Sequence, residues 1–445
     1  MKTTLANWGN YPPVATTATS FADTETLRHT FETANELIIR GNGRCYGDSS
    51  LSDRCVVSSL KFDKIVAFDT QNGILTCQAG VTLADVLDVI VPKGWFLPVT
   101  PGTKFITVGG AVASDVHGKN HHVEGSFGQH VLWMDVFTGR GEIVRCSPAE
   151  HADLFAATCG GMGLTGAILT VCFRLKKIQT AYIRQRQVKA RNLQEIIALF
   201  EQYKHATYSM AWIDCLKSGD GFGRSIMMSG EHAAADQLAG VPADKHLQLP
   251  PKMKLTVPFH FPEFVLNNLS VRAFNFLYYH KNYRRVMDST VPYDGFFYPL
   301  DAIHHWNRMY GRSGFVQYQF VLPPAASERG LTDILQRIGK KGWGSFLAVL
   351  KLFGKQESLI SFPMEGYTLA LDFPVRKGLF EFLDELDRVV LDYGGRLYLT
   401  KDARMKPEVF KAGYPRLQEF LDIVRTYNPE GKFASLQSKR LLAGL

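Results

Sequence analysis

The chain has 445 residues, 46% hydrophobic and 21% charged, which excludes disorder as the main state and supplies a core for roughly two or three domains. Fifty Lys and Arg against 42 Asp and Glu leave a net charge of +8, which suits an anionic ligand or a membrane surface and falls short of a nucleic-acid footprint. Seven cysteines without a CxxC pair argue against a disulfide framework or zinc ribbon and for a reducing compartment.

The N-terminal MKTTLANWGNYPPVATT lacks the apolar run of a signal peptide, and no segment reaches the roughly 20 uncharged apolar residues of a spanning helix. A cytoplasmic or peripherally membrane-associated placement is expected. From Leu37 to Cys172, short β-rich runs alternate with glycine turns around one helix, TLADVLDVIVPKG, which reads as an α+β lobe. Arg40-Gly41-Asn42-Gly43-Arg44-Cys45-Tyr46-Gly47-Asp48 follows a strand. Three glycines with two arginines read as a tight loop whose successive N–H groups form an anion-binding nest.

The segment from Pro101 through Gly102, Thr107, Val108, Gly109, Gly110, Ser114, Asp115 and Val116 to His117 packs small residues together, followed by Lys119, His121 and His122. It suggests an extended ligand lying on the main chain. The histidines form either a structural cluster or agents of proton and charge work. A metal site is not expected, since Gly118 opposes the helix that the His117/His121 spacing presumes. Gly161-Met-Gly163-Leu-Thr-Gly166 matches the dinucleotide fingerprint by letter, but a helix-like run precedes it and a strand follows, the reverse of what that fold needs.

Beyond Lys177 a helix is expected over Leu193 to His205. Residues 249–285, rich in Pro, Phe, Tyr and Asn without a clear period, read as a mobile or lid-like insertion. After Gly314 the order is β-α-β-β-α-β, with strands GFVQYQFVL, SFLAVLKLF, YTLALDF and RLYLT and two helices covering one face of an antiparallel sheet. Alternation places Val316, Tyr318, Phe320 and Leu322 toward the helices and turns Gln317, Gln319 and Lys351 to the free face.

RGNGRCYGDSSL, TPGTKFITVGGAVASDVHGKNHH, GSFGQHV, GGMGLTGAIL, KLFG, LDFP and TKDAR together resemble the FAD-dependent oxidases of the vanillyl-alcohol-oxidase type, nearly end to end. Within that family they are most similar to the branch that oxidises the 2-hydroxyl of a polyprenylphosphoryl ribose. The resemblance implies a PCMH-type FAD lobe of residues 1–180 completed by 396–445, and a substrate lobe of 181–395 whose sheet covers the flavin. It implies that the Arg40 to Ser49 loop holds the FAD pyrophosphate, that Gly102 and Thr107 to Gly110 follow the cofactor, and that Ser114 to His117 approach the isoalloxazine, with Ile168 and Tyr398 also on FAD.

The resemblance further implies Lys401, His117 and Lys119 as catalytic residues, with Gln317, Gln319, Lys351, Ala370 and Phe297 toward substrate. Its implied partners are the polyprenyl-phosphoryl sugar, an NAD(P)H-dependent short-chain reductase that completes an epimerisation, and a membrane surface; by analogy it also admits a periplasmic location. Covalent members attach the flavin to a histidine in the first glycine loop; Cys45 stands there, so non-covalent FAD is expected. Ala370 replaces the cysteine that mycobacterial members offer to nitro-aromatic inhibitors, and Phe297-Tyr298 stands where near relatives have Tyr-His. An aldonolactone or sugar-alcohol oxidase acting on a soluble polyol is the alternative within the same superfamily.

Overall fold

The computed structural model describes residues 2–238, 240–250 and 255–443. Two small sheets build the N-terminal lobe. One, of four strands, carries β1 (Ile38–Arg40) at its edge, parallel to Cys55–Ser58. The other is an antiparallel five-stranded sheet with Gly166–Arg174 at its centre. Between the sheets, the small residues after Thr107 form the helix α1 (Val108–Ala113), capped by the Thr107 hydroxyl, which accepts from Gly110 N–H at 3.1 Å. Gly109 gains a packing reason here, since a Cβ would press on Ala79. The Gly161 to Gly166 turn follows the helix Ala152–Thr158 and leads into the central strand. It is a packing device: Met162 N–H donates to Ala113 O, and a Cβ at Gly166 would collide with Phe137 O.

The second lobe is one eight-stranded antiparallel sheet. Its far half is overlaid by α2 (Asn268–His280). Its near half holds β2 (Phe315–Leu322), α3 (Pro324–Lys341), β3 (Ala348–Phe353), β4 (Gly366–Pro374), α4 (Leu379–Asp392) and β5 (Arg396–Leu397), with strand order β3-β4-β2-β5. Val316, Tyr318, Phe320 and Leu322 of β2 are buried against Leu331, Ile334, Leu335 and Ile338 of α3 and Leu383 and Leu386 of α4. The 3.6-residue period of each helix meets the two-residue period of the strand, which leaves the opposite sheet face for other work.

Three expectations need correction. The 249–285 stretch, read as aperiodic, contains a regular element: α2 is a capped helix whose N-cap Asn267 side chain accepts from Leu269 and Ser270 N–H. Its buried stripe includes Val271, Asn275, Tyr279 and, just past its end, Asn282, while Leu269, Phe276 and Leu277 are exposed. Polar residues on the inner face and apolar ones on the outer face hid the period. Asn275 Nδ2 donates to Asp214 Oδ1 at 2.7 Å, and Arg224 pairs with Asp214 at 2.8 Å, which fastens the helix to the sheet. Residues 251–254 of this stretch, with Lys252 and Lys254, lie outside the described residues. Second, β3 begins at Ala348, because Ser345 is drawn aside by Cys215, whose sulfur accepts its N–H. Third, the last strand is only two residues long, and Lys401 sits on the 3-10 turn Leu399–Lys401 that follows it.

The C-terminal segment returns to the first lobe. Leu37 N–H donates to Lys432 O and Ala434 N–H to Leu37 O. Phe433 stacks on Phe31 at 5.8 Å. Arg440 joins Asp48 at 2.8 Å and Asp402 at 3.0 Å and donates to Met405 O at 2.6 Å, so one guanidinium clasps the glycine loop, the turn beyond Lys401 and the tail. Removing it takes the ion partner from two carboxylates that are under 10% exposed, Asp48 and Asp402, of which Asp402 keeps the N–H groups of Arg404 and Met405. Arg440→Ala is expected to lower stability by about 3 kcal/mol, the usual cost of breaking a buried pair, measured by denaturant unfolding of the flavin-loaded protein.

Candidate functional site

The free face of the second sheet looks onto the glycine segments of the first lobe. Antiparallel register decides its contents: Gln317 is opposite Asp372, Gln319 opposite Ala370, Val349 opposite Ala370 and Lys351 opposite Thr368. All of these side chains therefore project from one face. Gln319 Nε2 donates to Thr368 Oγ1 and to His117 Nε2, each at 3.2 Å, which makes that imidazole nitrogen the acceptor and places the His117 proton on Nδ1. The His117 ring is enclosed by Phe353 at 4.7 Å, Tyr398 at 5.1 Å and Phe362 at 5.6 Å. Burial, then Lys351, His121 and Lys401 in that order, hold its pKa well below the usual histidine value, so the ring is neutral.

Three lysines converge around it. Burial pushes Lys119 down to about 7 with help from Lys351, Lys351 to about 8, and Lys401 to about 7, where Asp372 opposes the fall and Lys351 adds to it. Lys119 Nζ donates to Phe297 O at 3.2 Å. Lys401 Nζ lies 3.8 Å over the Tyr46 ring. Among the described residues none of the three has a carboxylate at ion-pair distance.

The first glycine loop supplies the facing wall. A Cβ at Gly41 would collide with Thr107 Oγ1, one at Gly43 with the Arg40 guanidinium, and one at Gly47 with Asp402 O; Gly43 also has a φ of +60°. Among the described residues the N–H groups of Asn42, Gly43, Arg44 and Cys45 have no hydrogen-bond partner, as an anion nest requires. His117 Nδ1 is likewise buried without a partner. Unpaired donors along a glycine cradle, beside a cationic and aromatic recess, fit the diphosphate and ring system of FAD.

Other expected residues have protein partners. Arg40 donates to Asn7 Oδ1 and Ala6 O, and Arg44 lies over Trp8 at 4.1 Å and near Phe105 at 5.3 Å. Asp48 is held by Arg440. The Asp115 carboxylate accepts from Ser126, Gly128, Gln356 and Ser361, so it fastens the 114–117 turn and is not free for a ligand. Val108 and Val116 are core residues, as is Ile168; Gly102 is exposed, with open space around it. Ser114 O accepts from Tyr398 OH at 3.3 Å. Ser49 is buried in the loop. The Phe297 ring is 1% exposed and packs on Phe96, Tyr208 and Phe296, and it meets the lysine cluster through its carbonyl and through its ring, 5.6 Å from Lys119 Nζ. Sequence reasoning missed Asp372, Thr368, Phe353 and Phe362. The two-residue alternation of YTLALDF places Thr368, Ala370 and Asp372 on one side, and that signal was available.

Residues 18–147 match the FAD binding domain family. Decaprenylphosphoryl-beta-D-ribose oxidase of Mycolicibacterium smegmatis is 38% identical over 98% of this chain and 97% of its own length. L-gulonolactone oxidase of Bos taurus is 29% identical over 29% of this chain and 30% of its own, and Delta(24)-sterol reductase of Homo sapiens is 31% identical over 31% and 26%. Glycine cradle, matched domain and covering sheet define an FAD-dependent oxidoreductase. The full-length match narrows this: the chain belongs to the decaprenylphosphoryl-beta-D-ribose oxidase family.

Cys45, in the first glycine loop, is half-buried with its sulfur 3.2 Å from Ser50 Oγ. Acid precipitation is expected to release the yellow colour into the supernatant; colour retained in the pellet would show a covalent bond.

Proposed function

We propose that the protein oxidises the 2-hydroxyl of a polyprenylphosphoryl-β-D-ribose to the 2-keto sugar. This is the first half of an epimerisation, completed by an NAD(P)H-dependent short-chain reductase, that yields an arabinose donor for cell-envelope polysaccharide. The observation that carries the reading is the lysine cluster. Burial depresses Lys119 and Lys401 and Lys351 adds to both, and like charges held together in a partly buried recess ask for an anion. A phosphorylated sugar beside a flavin supplies such charge.

The Arg40 to Ser49 loop, the backbone from Thr107 to Gly110, the Ser114 to His117 turn, Ile168 and Tyr398 would hold FAD. When bound, FAD supplies the acceptor for the hydride leaving the carbinol carbon. This chain's residues orient and hold charge. Lys119 and Lys351 bind the phosphate as point charges, Gln319 and neutral His117 hold the sugar hydroxyls, and Lys401 places a cation by the reacting hydroxyl. A fixed cation there stabilises a developing alkoxide by about 3 kcal/mol in a water-poor site. Gln317 is bound to Asp372 at 2.6 Å and turned from the hydroxyls. Ala370 leaves room where a larger side chain would narrow the recess.

Adding decaprenylphosphoryl-ribose anaerobically is expected to bleach the flavin band of the wild type. Lys401→Ala should keep the oxidised spectrum and slow that bleaching at least a hundredfold, as the loss of about 3 kcal/mol implies; normal bleaching would eliminate the role. Peroxide formed from free sugars would instead favour the soluble-polyol reading.

The outer face of α2 is the proposed membrane contact. Leu269 is 77% exposed, Leu277 67% and Phe276 54%, with Arg272, Lys281 and Arg284 close by in sequence. An apolar stripe flanked by cations suits the surface of an anionic bilayer, where a polyprenyl tail stays while the sugar enters. No helix among the described residues is long and apolar enough to cross a membrane. The pair Phe276→Glu and Leu277→Glu should weaken co-sedimentation with phosphatidylglycerol vesicles while leaving flavin reduction by a short-chain substrate unchanged; undiminished co-sedimentation would remove α2 from the contact.

A further inference from the structure

Asp372 is a carboxylate inside the recess that the roles above leave unused. It is 1% exposed. Gln317 Nε2 donates to its Oδ1 at 2.6 Å and Tyr310 OH to its Oδ2 at 3.1 Å, while its own N–H donates to Ser345 Oγ at 3.0 Å. The same Gln317 amide reaches Tyr46 OH at 3.4 Å, and the Tyr46 ring is the surface on which Lys401 rests. A continuous path therefore runs from Tyr310 through Asp372, Gln317 and Tyr46 to Lys401.

Two donors aimed at a carboxylate favour its charged form, against the burial that pushes it up to about 7. The charged groups that face the pair are few. Asp372 meets Lys401, Tyr310 and Tyr46, and it lines a small recess together with Arg376 and Ser345. Lys401 meets Asp372, Lys351 and Cys45, and it acts on His117. Asp372 is thus the carboxylate whose field reaches Lys401, where burial and Lys351 favour the neutral amine and Cys45 is a lesser influence toward the charged form.

We propose that Asp372 is a positioning residue that keeps Lys401 protonated, acting across Gln317 and Tyr46 without touching the substrate. The distance has a purpose. A direct ion pair would spend the cation on the protein, whereas an anion held one side chain away maintains the charge and leaves the ammonium free to meet the substrate oxygen. The inference rests on the reading of Lys401 as the cation beside the hydroxyl, but the ionisation it predicts can be measured without turnover.

The test compares the flavin-loaded wild type with Asp372→Asn, Asp372→Glu and Tyr310→Phe. Lys401 ionisation is read from the pH dependence of its labelling by an amine-reactive reagent, located by mass spectrometry, with the exposed Lys93 as internal reference. Removing the anion should move the Lys401 midpoint to lower pH by about one unit, the size of effect expected of an opposite charge nearby, with Lys93 unmoved. The alkaline limb of kcat/KM should move the same way, since activity requires the protonated lysine. Asp372→Glu should restore most of both shifts. Tyr310→Phe weakens the hold on the carboxylate anion and should give a smaller shift of the same sign; it carries the test if Asp372→Asn does not fold. An unmoved or raised Lys401 midpoint overturns the proposal. A lowered midpoint with an unmoved kinetic limb supports the pairing and overturns the catalytic reading of Lys401.

Discussion

Positive charge held in a water-poor recess without a contacting carboxylate is the constraint on which this protein is organised. Lys119, Lys351 and Lys401 come from three distant stretches of chain, and each is costly to bury. A fold that served stability alone would pair them or turn them to solvent. Here Lys119 is braced by a backbone carbonyl and Lys401 by an aromatic face, partners that orient a cation without neutralising it. The cost is met elsewhere, by the apolar layer between the sheet and α3 and α4 and by the ion network around Arg404 and Arg440.

That network also explains why the C-terminus crosses back to the first lobe. Asp48 ends the glycine loop and Asp402 follows Lys401 directly. Arg440 binds both, so the cofactor loop and the lysine-bearing turn are tied to one group. Tyr46 N–H donating to Thr400 O strengthens the tie. The loop and the sheet are thereby held at a fixed spacing before any ligand arrives, which is what orientation-dependent chemistry requires.

The legible part of the sequence was the part governed by local periodicity. Strand alternation in GFVQYQFVL separated a helix-facing stripe from Gln317 and Gln319, and the β-α-β-β-α-β order anticipated the covering sheet. The glycine loop was readable because close backbone approach has few other solutions. Failures came where tertiary partners reversed the usual polarity. Helix α2 buries Asn275 because Asp214 waits beneath it, and leaves Phe276 exposed on its outer face. The Asp115 carboxylate is occupied by Ser126, Gln356 and Ser361 and Gly109 makes room for Ala79, partners that the linear sequence does not show.

The sequence by itself determined an anion-binding glycine loop and an α+β order, and through the resemblance of its motifs it pointed to FAD; glycine turns and strand alternation are properties of short segments, set by backbone sterics and the two-residue period. Only the tertiary structure decided which side chains share a field. The register that sets Gln317 opposite Asp372 and Lys351 opposite Thr368, and the turn that lays Lys401 on Tyr46, bring together residues up to hundreds of positions apart. Electrostatic coupling depends on distance in space and on exclusion of water, and a linear pattern carries neither.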